Sequence, residues 1–340
     1  MRFHEYSQIQ TVLFLNDINT FLFLIAEMAR YAIIKIAQIY SAKKQRVKHI
    51  MRFVTFKFNG REKTGILSDD RISVISSEGL YPNLTMTNLI KGFNNALAYE
   101  ITKLKNSDDQ IPLNKIELLS PIPNPPRGVI CLGKNYMDHI REVAKAIDRE
   151  SIVPKYPIYF SKIVDRCPGH NGNIPSHKEL TDSLDYEAEL AVIIGKEGRN
   201  IPAEEADDYI FGYTILNDVS VRDAQRRHSQ WFKGKSFDGS CPMGPWIVTK
   251  DEFKLPVELD IKSYVNGELR QNSNTRELIF DIPYVISDFS KGITLMPGDI
   301  IATGTPAGVG MGFDPPKYLS AGDVVECYIE NIGSLINKVI

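Results

Sequence analysis

The 340-residue chain has few cysteines, only 2 tryptophans, and no excess of charge of either sign. Cys131, Cys167, Cys241 and Cys327 lie far apart and form no Cys-x-x-Cys pair. That spacing excludes a disulfide framework or a zinc knuckle and implies reduced thiols. Net charge is −2, and basic residues form no dense stripe outside the N-terminal tail, so nucleic acid is not an expected partner. No apolar run spans a bilayer: Phe21-Leu22-Phe23-Leu24-Ile25-Ala26 is short, with Asp17 and Glu27 around it and Arg30 beyond. A membrane is therefore not an expected partner either. Internal repeats and low-complexity tracts are also missing. What remains is the composition of a soluble protein, 43% hydrophobic, long enough for one large domain and a smaller one.

One absence is local. From Met28 to Arg61 there is no acidic residue, while Arg30, Lys35, Lys43, Lys44, Arg46 and Lys48 supply positive charge. Ile33, Ile34, Ile36 and Ile39 give this stretch an apolar helical face, the composition of a mitochondrial presequence. Residues 1–50 are accordingly set apart as an extension. A matrix location is expected, or a cytoplasmic one if the extension is not a presequence or synthesis starts at Met28 or Met51.

Residues 51–120 read as a small N-terminal domain. Val54, Phe56 and Phe58 alternate with polar residues, Asn59-Gly60 and Ser68-Asp69-Asp70 turn the chain, and a helix is expected within 85–104. The proline-rich segment 121–126 can sustain neither helix nor sheet and marks the boundary to a larger domain over 125–340. There, 128–132 reads as a strand and 134–147 continues as a helix that makes His139 and Glu142 neighbours. An imidazole beside a carboxylate suits general acid/base work, although such pairs are common on solvated helices. Val265-Asn266-Gly267-Glu268 signals a hairpin, 282–290 a helix, and the C-terminal end is rich in strands. Gly234-Lys235-Ser236 is the tail of a phosphate-binding loop, but Ser229 stands where its first glycine belongs, so nucleotide binding is discarded. Helices and strands mix without strict alternation, which predicts an α+β fold.

The chemistry concentrates between Leu184 and Arg222. Asp185, Glu187 and Glu189 alternate on a predicted strand, so their side chains share a face with Ala191 and Ile193. A second predicted strand, 210–216, ends on Asn217-Asp218. Carboxylates rising from an apolar base repel one another unless a cation sits among them. All-oxygen ligands favour Mg²⁺, then Mn²⁺ or Ca²⁺, and disfavour zinc. A solvated acidic edge explains the spacing equally well.

Taken together, several stretches resemble the fumarylacetoacetate hydrolase family. They are Gly133-Lys134-Asn135-Tyr136 with His139 and Glu142, Asp185-Tyr186-Glu187-Ala188-Glu189-Leu190, and Asn217-Asp218 through Arg222-Asp223. Gly234-Lys235-Ser236-Phe237-Asp238 and Pro297-Gly298-Asp299 through Gly304-Thr305-Pro306 complete the set, in the family's order, over roughly residues 51–340. The short N-terminal domain and the Cys241-Pro242-Met243-Gly244-Pro245 run resemble its mitochondrial branch. The resemblance implies a mixed β-sandwich roll, a homodimer, and an Mg²⁺ or Mn²⁺ site on Glu187, Glu189 and Asp218, with Asp185 a neighbour. It implies His139 and Glu142 as acid/base dyad, Lys235 near the substrate carbonyl, and Arg222, Gln225 and Thr305 as substrate anchors. The expected substrate is a small 2-oxo acid. Keto–enol tautomerisation of oxaloacetate is the leading expectation. Hydrolysis of acylpyruvates or fumarylacetoacetate-like diketo acids and decarboxylation of oxaloacetate are the alternatives, and a metal-binding dimer without turnover is the non-enzymatic one.

Overall fold

The computed structural model describes residues 50–340 except 71–72, 78–82, 105–109 and 149. Residues 1–49, on which the expected presequence falls, lie outside the described residues.

The alternation at the start of the described chain becomes a meander. Arg52–Phe58 and Arg61–Leu67 pair antiparallel around Asn59-Gly60, and Ser73–Ser76 and Gln110–Pro112 continue the ladder. The single helix expected within 85–104 is two, Met86–Gly92 and Asn95–Leu104. The chain restarts because Asn94 Oδ1 accepts the free N–H groups of Ala96 (2.9 Å) and Leu97 (3.0 Å), an N-cap in mid-segment.

The meander is one half of a larger sheet. In spatial order its strands are Gln110–Pro112, Ser73–Ser76, Arg61–Leu67, Arg52–Phe58, Met243–Thr249, Ile210–Asn217, Ala188–Ile194, Ile300–Ala302, Val129–Gly133 and Ile158–Lys162, with the short Glu117–Leu118 also pairing with Arg52–Phe58. Met243–Thr249, which the sequence reading did not identify, joins the two halves by pairing with Arg52–Phe58 on one side and Ile210–Asn217 on the other. Residues 51–120 and 125–340 thus share one sheet, inside a compact unit spanning His49–Ile340. A second sheet runs Glu268–Asn274, Asp260–Val265, Val324–Ile329, Gly333–Val339 and Asn173–Ile174.

Every residue of Ala188–Ile194 is buried, because both faces of this central strand are covered. Leu190, Val192 and Ile194 join one core with Ile261, Val325 and Leu335 of the second sheet and Val285 and Ile286 of helix Ile282–Ser290. Ala191 and Ile193 join the other, with Phe53, Ile66, Leu89, Ile90 and Ile101. Each such side chain contributes roughly 1.5–3 kcal/mol over its exposed form, so the strand is held from both sides. Its neighbour Ile210–Asn217 is also buried throughout. The two pair antiparallel with Ala188 opposite Asn217, so the start of one strand lies beside the end of the other. That register brings Glu187 and Glu189 to Asp218. The fold is the mixed α+β architecture expected from the sequence.

Candidate active site and metal centre

The strand expected to carry Asp185, Glu187 and Glu189 together is interrupted. Leu184–Asp185 pairs with Ser220–Val221, and the large sheet takes up the chain only at Ala188. The interruption separates Asp185 from the other acids. Its Oδ1 accepts the N–H groups of Tyr186 (2.9 Å) and Gly310 (2.6 Å); its Oδ2 accepts Met311 N–H (3.0 Å) and Arg222 Nε (2.8 Å). Its lone pairs are filled. Asp185 orders the surrounding backbone and has no capacity left for an ion.

Glu187, Glu189 and Asp218 each offer an oxygen, and these lie within 4.8 Å of one another in a fully buried setting. Lys235 Nζ donates to Glu187 Oε2 and Asp218 Oδ2, both at 2.7 Å. Lys162, buried beneath, donates to Asp218 Oδ1 at 2.5 Å and to Val219 O at 3.0 Å. Arg222 Nη2 stands 2.7 Å from Glu187 Oε1 as an ion pair, out of line for a hydrogen bond. Burial pushes Glu187 upward, but Lys235, Arg222 and His139 outweigh it and hold its pKa below the ordinary carboxylate range.

Glu189 differs. Among the described residues no cation pairs with it; Oε2 accepts the Gly304 N–H at 2.9 Å. Gly304 takes φ +97°, and a Cβ there would lie 2.9 Å from Asn135 Cβ, so glycine is what lets this donor approach. Burial, then Asp218 and Glu187, push the Glu189 carboxyl well above its ordinary value. Four buried carboxylates thus face the three cations Arg222, Lys235 and Lys162, and the unmatched one lies beside two other acids. A hard divalent ion among Glu187, Glu189 and Asp218 supplies the positive charge that Glu189 lacks, and the donor set fits one.

His139 and Glu142 sit on helix Met137–Ala146 with Nδ1 3.3 Å from Oε2. Glu142 Oε1 accepts the Gly308 N–H at 2.7 Å, and a Cβ on Gly312 would come within 2.2 Å of the same carboxylate. Glu142 therefore ties the helix to the loop from Gly308 to Gly312. With Nδ1 directed at Glu142, Nε2 is the ring nitrogen left for the cavity.

Of the nine residues predicted from the sequence, all but Glu142 and Asp218 line a single cavity of about 500 Å³. Two of the expected substrate anchors are already engaged. Arg222 is held by Asp185 and Glu187, with Nη1 donating to Gln225 Oε1 at 3.1 Å. The Thr305 hydroxyl donates to Ala188 O at 2.9 Å and accepts from Gln271 Nε2 at 2.7 Å. The sequence reading missed Lys162, which gives no local signal because its partner lies 56 residues away. It also missed Phe160, Arg226 and Trp231 on the cavity wall.

Residues 128–340, more than half of the chain, match the family model for the C-terminal part of fumarylacetoacetate hydrolase. The chain belongs to the fumarylacetoacetate hydrolase family. Within that family it is 49% identical over 227 residues to the oxaloacetate tautomerase YisK of Bacillus subtilis (strain 168), covering 67% of this chain and 74% of that protein. A solved fumarylacetoacetate hydrolase from psychrophilic Exiguobacterium antarcticum is 40% identical, with a TM-score of 0.71 over 85% of this chain and 99% of that one. Maleylpyruvate hydrolase from Sphingobium sp. SYK-6, solved in complex with manganese(II) ion and pyruvate, is 32% identical with a TM-score of 0.68 and the same coverage. This member of the fumarylacetoacetate hydrolase family is an enzyme, and its acidic cluster suits a divalent metal.

Proposed function

We propose that the enzyme is an oxaloacetate keto–enol tautomerase using Mg²⁺ or Mn²⁺ held by Glu187, Glu189 and Asp218. The observation that carries this reading is the 49% identity to an oxaloacetate tautomerase; the site chemistry is consistent with it. A bound divalent ion supplies Lewis-acid polarisation of a 2-oxo acid. In enol-to-keto conversion the enol O–H loses its proton and C3 gains one, and no carbon–carbon bond breaks. Lys235 places positive charge where the oxygen becomes negative. His139 Nε2 carries the proton, and Glu142 at Nδ1 fixes the ring and stabilises its charged form. Phe160 and Trp231, edge to face with centroids 5.5 Å apart, wall the cavity and limit water.

The maleylpyruvate hydrolase neighbour favours a second reading, hydrolysis of an acylpyruvate by water directed at a second carbonyl. The acid-free basic segment from Met28 to Arg61 supports a mitochondrial matrix setting, and membership of the family supports a homodimer.

The test is the ultraviolet decay of enol-oxaloacetate with Mg²⁺, with pyruvate followed in the same cuvette. A metal-dependent loss of enol without matching pyruvate is expected. Pyruvate formed at the catalysed rate would identify a decarboxylase. No acceleration over buffer would contradict both and direct the search to acylpyruvates.

A further inference from the structure

The cations at the buried end of the cavity are taken up by its own acids. Arg222 and Lys235 are engaged by Asp185, Glu187 and Asp218, and the Thr305 hydroxyl by Ala188 and Gln271. None of these side chains is left to meet a second carboxylate on the substrate. Arg226 is: it lines the same cavity, is exposed, and has no carboxylate partner among the described residues.

Its placement follows from helix Arg222–Arg227. Arg222, Gln225 and Arg226 stand at i, i+3 and i+4, so they share one face, and all three line the cavity. Arg226 lies about one turn, roughly 5.4 Å of helix rise, further along that face than Arg222. Trp231 fixes the adjacent wall, since its ring packs so closely that a Cβ on Gly133 would lie 2.1 Å from it. We infer that Arg226 is the specificity residue that reads the distal carboxylate, so that the site selects dicarboxylic over monocarboxylic 2-oxo acids. The inference rests on the tautomerase reading only for the name of the substrate; the recognition of a second carboxylate stands without it.

The test therefore uses binding as well as turnover. Calorimetry with Mg²⁺ present compares malate with lactate, which lacks the distal carboxylate, in wild type, Arg226→Gln and Arg226→Lys. Arg226→Gln weakens malate about five- to tenfold, the scale of one charged hydrogen bond at an exposed position, and leaves lactate as in wild type. Arg226→Lys restores most of the loss. In turnover Arg226→Gln raises KM for oxaloacetate with little change in kcat, and removes part of the wild-type KM increase with ionic strength. An unchanged malate-to-lactate ratio in Arg226→Gln would overturn the inference. So would the loss appearing instead in Lys134→Gln, since Lys134 also lines the cavity. If wild type turns over no oxaloacetate, the tautomerase reading fails while the malate comparison still decides the role of Arg226.

Discussion

Glu187, Glu189 and Asp218 stand at the ends of strands buried along their whole length, whereas Arg226, His228 and Ser229 line the same cavity from an exposed stretch. The acids are fixed twice, by the Ala188–Asn217 register and by Lys162, Lys235 and Arg222 beneath and beside them. Of the exposed residues, Arg226 sits on a helix of six residues and His228 and Ser229 follow its end. The buried end can hold an ion and stabilise an enolate for any 2-oxo acid. The exposed end decides which acid is held and where its far end lies. Mutations should therefore divide the molecule: at the buried end they change stability and metal binding, and at the rim they change only selectivity and rate.

The sharpest break comes at Asp218. Asp218→Ala leaves the Lys162 ammonium buried without a carboxylate, and stability measured by denaturant unfolding falls by about 3–5 kcal/mol. Metal binding is lost with it. Adding Lys162→Met to the same protein recovers stability without recovering the metal, which separates the structural from the ligating role of Asp218. Arg226→Gln, by contrast, should stay within about 0.5 kcal/mol of wild type.

That division also shows what could be read from the sequence. The meander, the Asn266-Gly267 hairpin and helix Ile282–Ser290 follow local patterns and occur where predicted. Glu189 shares its face with Ala191 and Ile193, as alternation requires. Asp185 does not join that row, because the break at Tyr186-Glu187 is set by a separate pairing with Ser220–Val221, which no local period encodes. Lys162 was invisible for the same reason, since only tertiary structure brings it under Asp218. Arg226 is legible through its i+4 spacing from Arg222, but only the fold shows that Arg222 is taken up by Asp185 and Glu187. The engagement of the Thr305 hydroxyl by Gln271 is likewise a product of the fold.

His139→Ala should give the next largest effect. The general acid/base is worth about 10²–10⁴ in turnover, so enol decay slows by that factor while Mg²⁺ affinity stays at the wild-type value. A parallel loss of metal affinity would mean that the helix from Met137 to Ala146 supports the buried end and does not act on substrate alone.

The smallest expected effect is on pH dependence. In the metal-free protein Glu189 titrates above its ordinary value of 4.5, so the folded chain keeps a proton that the unfolded chain has released. Its contribution to stability is complete below 4.5 and is lost as pH rises through the raised value. Glu187, depressed, acts in the opposite direction and only below 4.5. Chelated protein should thus lose melting temperature as pH rises above 4.5 through that window, and Mg²⁺ should oppose the loss by displacing the Glu189 proton. A chelated profile that rises over the same window would contradict the assignment of the unmatched carboxylate to Glu189.

The central claim is that the three buried acids hold one divalent ion, with Glu189 the member that needs it. Its most direct test is a Mn²⁺ titration followed by the electron paramagnetic resonance signal of the free ion, in wild type and Glu189→Gln. One ion bound per chain in wild type and none at the same concentrations in Glu189→Gln is the predicted result. Equal stoichiometry and affinity in the two proteins would contradict it.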